Sequence, residues 1–113
     1  MLPRSQRLSV AYFNQVMEKG RVTHSPLFLL RFLKTDSAGQ TRIAAVAPQK
    51  IFKKAVQRNK LRRQMYEAVR PLYADVRPQL HVVIFAKAIA ATADQATLKK
   101  EIKDIFVKAG LLK

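Results

Sequence analysis

Cysteine and tryptophan are absent from the 113 residues, glycine occurs 3 times, and only 7 residues are acidic. Without cysteine there is no disulfide, no thiolate metal ligand and no cysteine nucleophile, so stability has to come from packing, and a reducing compartment fits. Three glycines, each placed as a turn or cap, leave none for a phosphate-cradling loop. Long hydrophobic runs are missing too. The longest uncharged apolar stretches, Ile43 to Ala47 and Val82 to Ala86, fall far short of the roughly 20 residues that a spanning helix needs. Leu8 to Phe13 is too short and polar for a signal peptide, being broken at Ser9 and ended by Asn14. With no repeat, low-complexity tract or linker, residues 1–113 read as one soluble, cytoplasmic domain.

What the chain does have is apolar material for a core, at 49% of residues, and a large excess of positive charge: 22 Lys plus Arg, for a net charge of +15. A small domain this positive repels itself unless a polyanion neutralises it. Nucleic acid is the first candidate partner and an anionic membrane surface the second; no obligate protein partner is evident.

Ser9 is placed to cap a first helix running to about Glu18, with Val10, Phe13 and Met17 at helical spacing and Gly20 to end it. Arg21 to Ser25 and Leu27 to Leu33 read as strands, Asp36-Ser37-Ala38-Gly39 as a turn, and Thr41 to Ala47 as the returning strand. Pro48 stops that strand. A long basic helix follows from about Lys53 to Leu72, with Pro71 marking its end. Leu80 to Ala86 is a β-branched run typical of a central strand. Thr92 with Gln95 makes a capping box for a last helix, in which Leu98, Ile102, Ile105 and Ala109 keep helical period up to Gly110. The order is helix, two or three strands, basic helix, strand, helix: an α+β sandwich with a modest sheet.

Catalytic constellations are missing. His24 and His81 are the only imidazoles, and neither pairs with a serine or an acid in the sequence. The carboxylates are scattered, whereas a two-metal nuclease clusters them to hold its ions. Asp94, Glu101 and Asp104 recur at about helical spacing but alternate with Lys99, Lys100, Lys103 and Lys108, which reads as a solvated, salt-bridged helix face. No catalytic residue and no metal ligand is assigned.

The basic helix carries the signal. Between Lys50 and Arg70 there are eight basic residues and one acidic. At about 100° per residue, Leu61, Met65, Ala68, Val69 and Leu72 share the face that packs on the sheet, while Asn59, Arg62, Arg63, Tyr66 and Arg70 fall on an adjoining one. Forked guanidiniums, an amide and a ring suit a phosphate backbone and its bases. Lys53 and Lys54 lie at the helix start, where free amides and the dipole also favour phosphate. A merely solvated basic face is the bland alternative. Membrane binding by this helix fits poorly, because its apolar face is needed to cover the sheet. Tyr12, Phe13, Phe28 and Phe32 are either core residues or rings lining a groove that stacks single-stranded bases.

Ala55-Val56-x-Arg58-Asn59-Lys60-x-Arg62-Arg63, followed by Glu67 and Arg70, resembles the signature helix of the bacterial ribonuclease P protein component. Arg7-Leu8, Phe13-x-x-Val16 and Gly20 match that family's opening helix, and Val82-Val83-Ile84 its late strand. Element order and length also agree, so the likeness covers nearly the whole chain. The resemblance implies a left-handed βαβ crossover, as in a ribosomal protein domain, and a subunit that binds a catalytic RNA and assists removal of the 5′ leader from precursor tRNA. It also implies that the active site and its magnesium belong to the RNA-containing holoenzyme, with no cofactor bound by the protein alone.

Carried over by residue, Arg58, Asn59, Lys60, Arg62 and Arg63 would face the catalytic RNA, with Lys50, Lys53, Lys54 and Arg70 extending the contact. Tyr12, Phe13, Met17, Phe28 and Arg31 would line the groove for the leader. The sequence departs from the family pattern at Pro48-Gln49-Lys50, usually Ser-Lys-Lys, at Lys60 for Arg, and at Tyr66 where Arg is common. Met17 replaces a frequent aromatic and Arg31 a strand tyrosine. Lysine still neutralises phosphate; stacking on the leader is what changes, unless Phe28 or Phe32 is exposed and takes it over. The competing readings are a ribosomal or ribosome-assembly RNA-binding protein, which needs no leader groove, and a protein-only nuclease, which the missing carboxylate cluster opposes.

Overall fold

A computed structural model describes residues 2–35 and 39–113. The elements are α1 (Val10–Lys19), β1 (Arg21–His24), β2 (Phe28–Lys34), β3 (Arg42–Val46), α2 (Ala55–Val69), β4 (Leu80–Ala86) and α3 (Gln95–Lys108), with short 3-10 turns at Arg4–Gln6, Arg70–Asp75 and Ala88–Thr92. They form a sheet in the order β1-β2-β4-β3. β2 is antiparallel to β1 and to β4, whereas β3 and β4 are parallel, so α2 is the crossover that joins them. The element order expected from the sequence is the observed one. Of the expected turn at Asp36-Ser37-Ala38-Gly39, residues 36–38 lie outside the described residues.

Strand alternation sorts the sheet into two unlike faces. Phe28 and Leu30 of β2, Val82 and Ile84 of β4, and Ile43 and Ala45 of β3 point to one side and are buried. There α2 contributes Leu61, Met65, Ala68 and Val69, and α3 contributes Leu98, Ile102, Ile105 and Phe106, which together form the main core. The other face is crossed by α1 alone. Its Val16 is fully buried, but Val10 is 79% exposed and Met17 is exposed as well. The inward stripe of α1 is therefore built on Val16, while Val10 and Met17, at helical spacing with Phe13, stand on its exposed side. A helix lying across a few strands buries one narrow line, not the wider stripe of a bundle helix.

Gly20 ends α1 with an extended backbone at φ −72°, so it is not chosen for a left-handed turn. A Cβ there would lie 2.4 Å from the Val16 carbonyl oxygen and 3.1 Å from that of Phe32. The α1 to β1 junction is too close for any side chain. Gly110, by contrast, has φ +74° and terminates α3 as expected.

Three local expectations are corrected. α2 stops at Val69, and Pro71 continues the chain as a 3-10 turn. The cap of α3 is Asp94, whose carboxylate accepts the Thr97 N–H at 2.8 Å; hydrogen bonds from the Thr97 side chain and backbone hold the Asp94 carboxyl below its ordinary range. Thr92 sits in the preceding 3-10 turn with its hydroxyl donating to the Ile89 carbonyl. Nor is the α3 surface salt-bridged. Among the described residues its carboxylates reach no ammonium group, and Lys108 instead donates to the His24 carbonyl at 2.9 Å.

Candidate nucleic-acid interface

β3 is an edge strand, and an open edge carries unpaired backbone groups. The sequence of α2 closes it. The Tyr66 hydroxyl accepts the Ala45 N–H at 3.0 Å, and the Arg62 Nε donates to the Ala45 carbonyl at 3.2 Å. Farther along, the Leu8 N–H donates to the Ile43 carbonyl at 3.2 Å, so the segment before α1 seals the rest of the edge. Tyr66 is consequently buried, which corrects its placement on the open basic stripe. This ring fastens helix to sheet.

Arg58 is also partly spent on structure. Its Nη1 donates to the carbonyls of Phe52 at 2.9 Å and Lys53 at 3.0 Å, fixing the segment that enters α2. Lys54, the N-cap residue, makes no side-chain capping bond. Lys50, Lys53, Lys54, Asn59, Lys60 and Arg63 are exposed, and Arg70 is exposed but paired with the Glu67 carboxylate. The basic residues thus divide into half-buried Arg58 and Arg62, held in place by carbonyls, and a free outer set.

Between this helix start and α1 lies a cleft of about 620 Å³ along the β3 edge, lined by Arg7, Ser9, Phe13, Arg42, Arg58, Asn59 and Arg62 among others. Among the described residues four guanidiniums and no carboxylate line it, a donor set matched to phosphate oxygens. The sequence marks Arg7 only as a flank of the resemblance and does not single out Arg42. Arg42 could have been found from its place at the start of a strand that the helix after it must flank.

A second, more apolar depression of about 280 Å³ lies on the open sheet face, between Met17 of α1, Leu29 and Arg31 of β2, Phe85 of β4, and Pro48 and Ile51. Arg31 is positioned by donating to the Met17 carbonyl at 3.2 Å. Phe85 connects the two hollows, since its ring meets that of Phe13 edge-on at 6.3 Å between centroids.

Of the residues expected in a groove, Phe13, Met17 and Arg31 do line these hollows. Phe28 does not. It is fully buried on the opposite face, because β2 alternates and its even-numbered residues point into the main core. Phe32 has the same parity and packs against that core, so neither replaces a stacking ring. Phe85 is the aromatic that the sequence reading missed. Within a continuous apolar run, alternation gives no clue to which residues face out.

Tyr12 lies beyond both hollows, its ring 4.5 Å from that of His81. His81 is buried, its Nδ1 has no hydrogen-bond partner, and burial with the neighbouring Arg42 charge pulls its pKa below the ordinary histidine value. Among the described residues no three His, Asp or Glu side chains converge as metal ligands. No helix among them is long and apolar enough to cross a membrane.

The architecture is that of a small α+β protein whose one sheet is sealed by two helices and crossed by a third, with arginines gathered at an edge strand. Solved ribonuclease P proteins share it. That of Staphylococcus aureus superposes with a TM-score of 0.86 at 16% identity, covering 97% of this chain and 100% of its own. That of Thermotoga maritima gives 0.79 at 21% identity, covering 90% and 96%. The ribonuclease P family model matches residues 2–110. Ribonuclease P protein components of Symbiobacterium thermophilum and Rippkaea orientalis are 32% and 31% identical, over 88% and 98% of this chain and 86% and 91% of theirs. The chain belongs to the ribonuclease P protein family. Its function is therefore that of a protein subunit of a tRNA-processing ribonucleoprotein endoribonuclease, whose partner is an RNA subunit.

Proposed function

We propose that the chain docks on the catalytic RNA through the outer cations of α2 and the arginine-lined cleft, and holds the 5′ leader of precursor tRNA against the open face of the sheet. The observation that carries this reading is the separation of chemistries along one surface. Arg7, Arg42, Arg58 and Arg62 converge at the β3 edge, while Phe85, Met17 and Leu29 with a single Arg31 line the hollow beside α1. The first suits a folded RNA's phosphates; the second suits a single strand whose bases rest on apolar surface and whose backbone meets one guanidinium.

Lys50, Lys53, Lys54, Asn59, Lys60, Arg63 and Arg70 then serve as the peripheral electrostatic contact. Arg58 and Arg62 serve twice, because their carbonyl partners hold the guanidiniums in place before RNA arrives and reduce the ordering cost of binding. The described carboxylates do not gather to hold magnesium, so this reading leaves the ion to the RNA and routes no step through it. The protein's part is binding and positioning.

The test is reconstitution: cleavage of precursor tRNA by a bacterial ribonuclease P RNA at near-physiological magnesium, with and without the protein. The expected result is a lower KM for leader-bearing precursor when the protein is present. No stimulation, or cleavage by the protein without RNA, would overturn the reading.

A further inference from the structure

α3 ends at Lys108 before the sheet does. Beyond it, where β2 finishes and β4 begins, a cleft of about 430 Å³ remains open beside the C-terminal turn Ala109 to Leu111. Phe32, Leu33 and Leu80 form its apolar lining, and Lys19, Arg21, Lys34 and Arg77 bring four cations to it, with no carboxylate among the described lining residues.

The strand register explains the gathering. Arg21 sits opposite Phe32 and Lys34 opposite Leu80, so both cations project from the same sheet face as those apolar residues. Arg77 is fixed by its Nε, which donates to the Gly110 carbonyl at 3.2 Å, and by its backbone N–H on the Leu111 carbonyl at 2.8 Å. Among the described residues its remaining guanidinium N–H groups meet no acceptor. Such like charges repel one another, and a cleft that assembles them without a counter-charge is stabilised by an anion.

We infer that this cleft is a second RNA-binding site, which takes a phosphodiester segment on its four cations. Its place in the fold sets it apart from the α2 surface. α2 begins just after the C-terminal end of β3, which runs parallel to β4, whereas this cleft lies at the N-terminal end of β4. The first site runs along the β3 edge as far as Arg42, whereas this cleft is built on β1, β2 and the start of β4, so the two are separated across the strand order of the sheet. A rigid sandwich with phosphate sites on both sides of its strand order bridges two separate RNA segments. The inference rests on the reading that the partner is RNA, and its test separates the two.

Because the chain has no cysteine, a single one can carry an iron chelate that cuts nearby RNA. Pro78→Cys places the probe beside Arg77, and Gln57→Cys places it on α2; both residues are exposed. In the reconstituted complex with catalytic RNA, the Pro78 probe should cut a segment that the Gln57 probe does not. Adding Arg21→Gln and Lys34→Gln should abolish those cuts and lower the slope of log affinity against log salt by between about 1 and 2, since each lost phosphate contact removes about 0.7–0.9. Both side chains are exposed, so an unchanged melting temperature confirms that the fold is intact. Cutting from Gln57 alone would overturn the second site and leave the α2 reading standing. Cutting from neither would overturn both, and slopes unchanged by the double substitution would overturn the second site directly.

Discussion

The two faces of the sheet receive different treatment from one alternating sequence. On one face two helices bury nearly every side chain; on the other α1 crosses alone and leaves Phe85, Met17 and Arg31 bordering open space. The sealed face supplies the stability that lets the open face keep apolar surface unsatisfied, which a packing criterion alone would have covered. The same division runs along α2. One side is core, the next is fastened to the β3 edge through Tyr66 and Arg62 while Arg62 still lines the cleft, and the outer side is exposed.

The sharpest way to break this comparison is to truncate one phenylalanine on each face. Phe28→Ala should cost about 3–5 kcal/mol in urea denaturation, since a fully buried ring leaves a cavity. Phe85→Ala should cost much less and instead weaken binding of leader-bearing precursor relative to mature tRNA. Equal losses of stability would mean that the faces do not differ as described.

Tyr66→Phe should lower stability by about 1–2 kcal/mol, because the Ala45 N–H loses its acceptor in a buried setting. Affinity of the folded variant for the catalytic RNA should hold. A loss of affinity without loss of stability would put Tyr66 back on the RNA-facing stripe.

Arg63→Gln and Arg62→Gln sharpen the division within α2. The first should weaken RNA binding and reduce the salt slope by about 1 with no change in melting temperature, as for a phosphate contact. The second should do so and also destabilise, since it gives up the hydrogen bond to the Ala45 carbonyl.

The smallest effect concerns His81. Its pKa is depressed in the fold by burial and by Arg42, so the unfolded chain binds the proton more readily. The histidine's contribution is therefore complete above the ordinary histidine pKa and is lost as pH falls from there through the depressed value. His81→Gln should flatten that part of the stability profile; an unaltered profile would show that the imidazole does not titrate with unfolding.

Periodicity made most of the fold legible. The spacing of Leu61, Met65, Ala68 and Val69 located the buried face of α2, and the apolar run from Leu80 to Ala86 located the central strand. What it concealed was which way side chains face in strands that are apolar throughout. Phe28 and Phe85 read alike as sequence, yet register sends one into the core and the other into the groove. Tyr66 is hidden for a related reason: helical angle puts it near the arginines, and only the nearness of an edge strand shows that its hydroxyl has a backbone partner. Asp94 is not distinguished as the cap by sequence because Thr92 and Gln95 also fit a capping pattern, and a two-residue shift is beyond local spacing to decide.

The central claim is that the open sheet face recognises the leader while α2 holds the RNA subunit. Holoenzyme affinity for precursor tRNA with and without its leader, compared between the wild-type protein and Phe85→Ala, tests it most directly. The account predicts that the leader's gain in affinity shrinks markedly in the variant while affinity for mature tRNA is unchanged. A leader gain that survives the loss of this ring, or a variant that weakens both substrates equally, would contradict it.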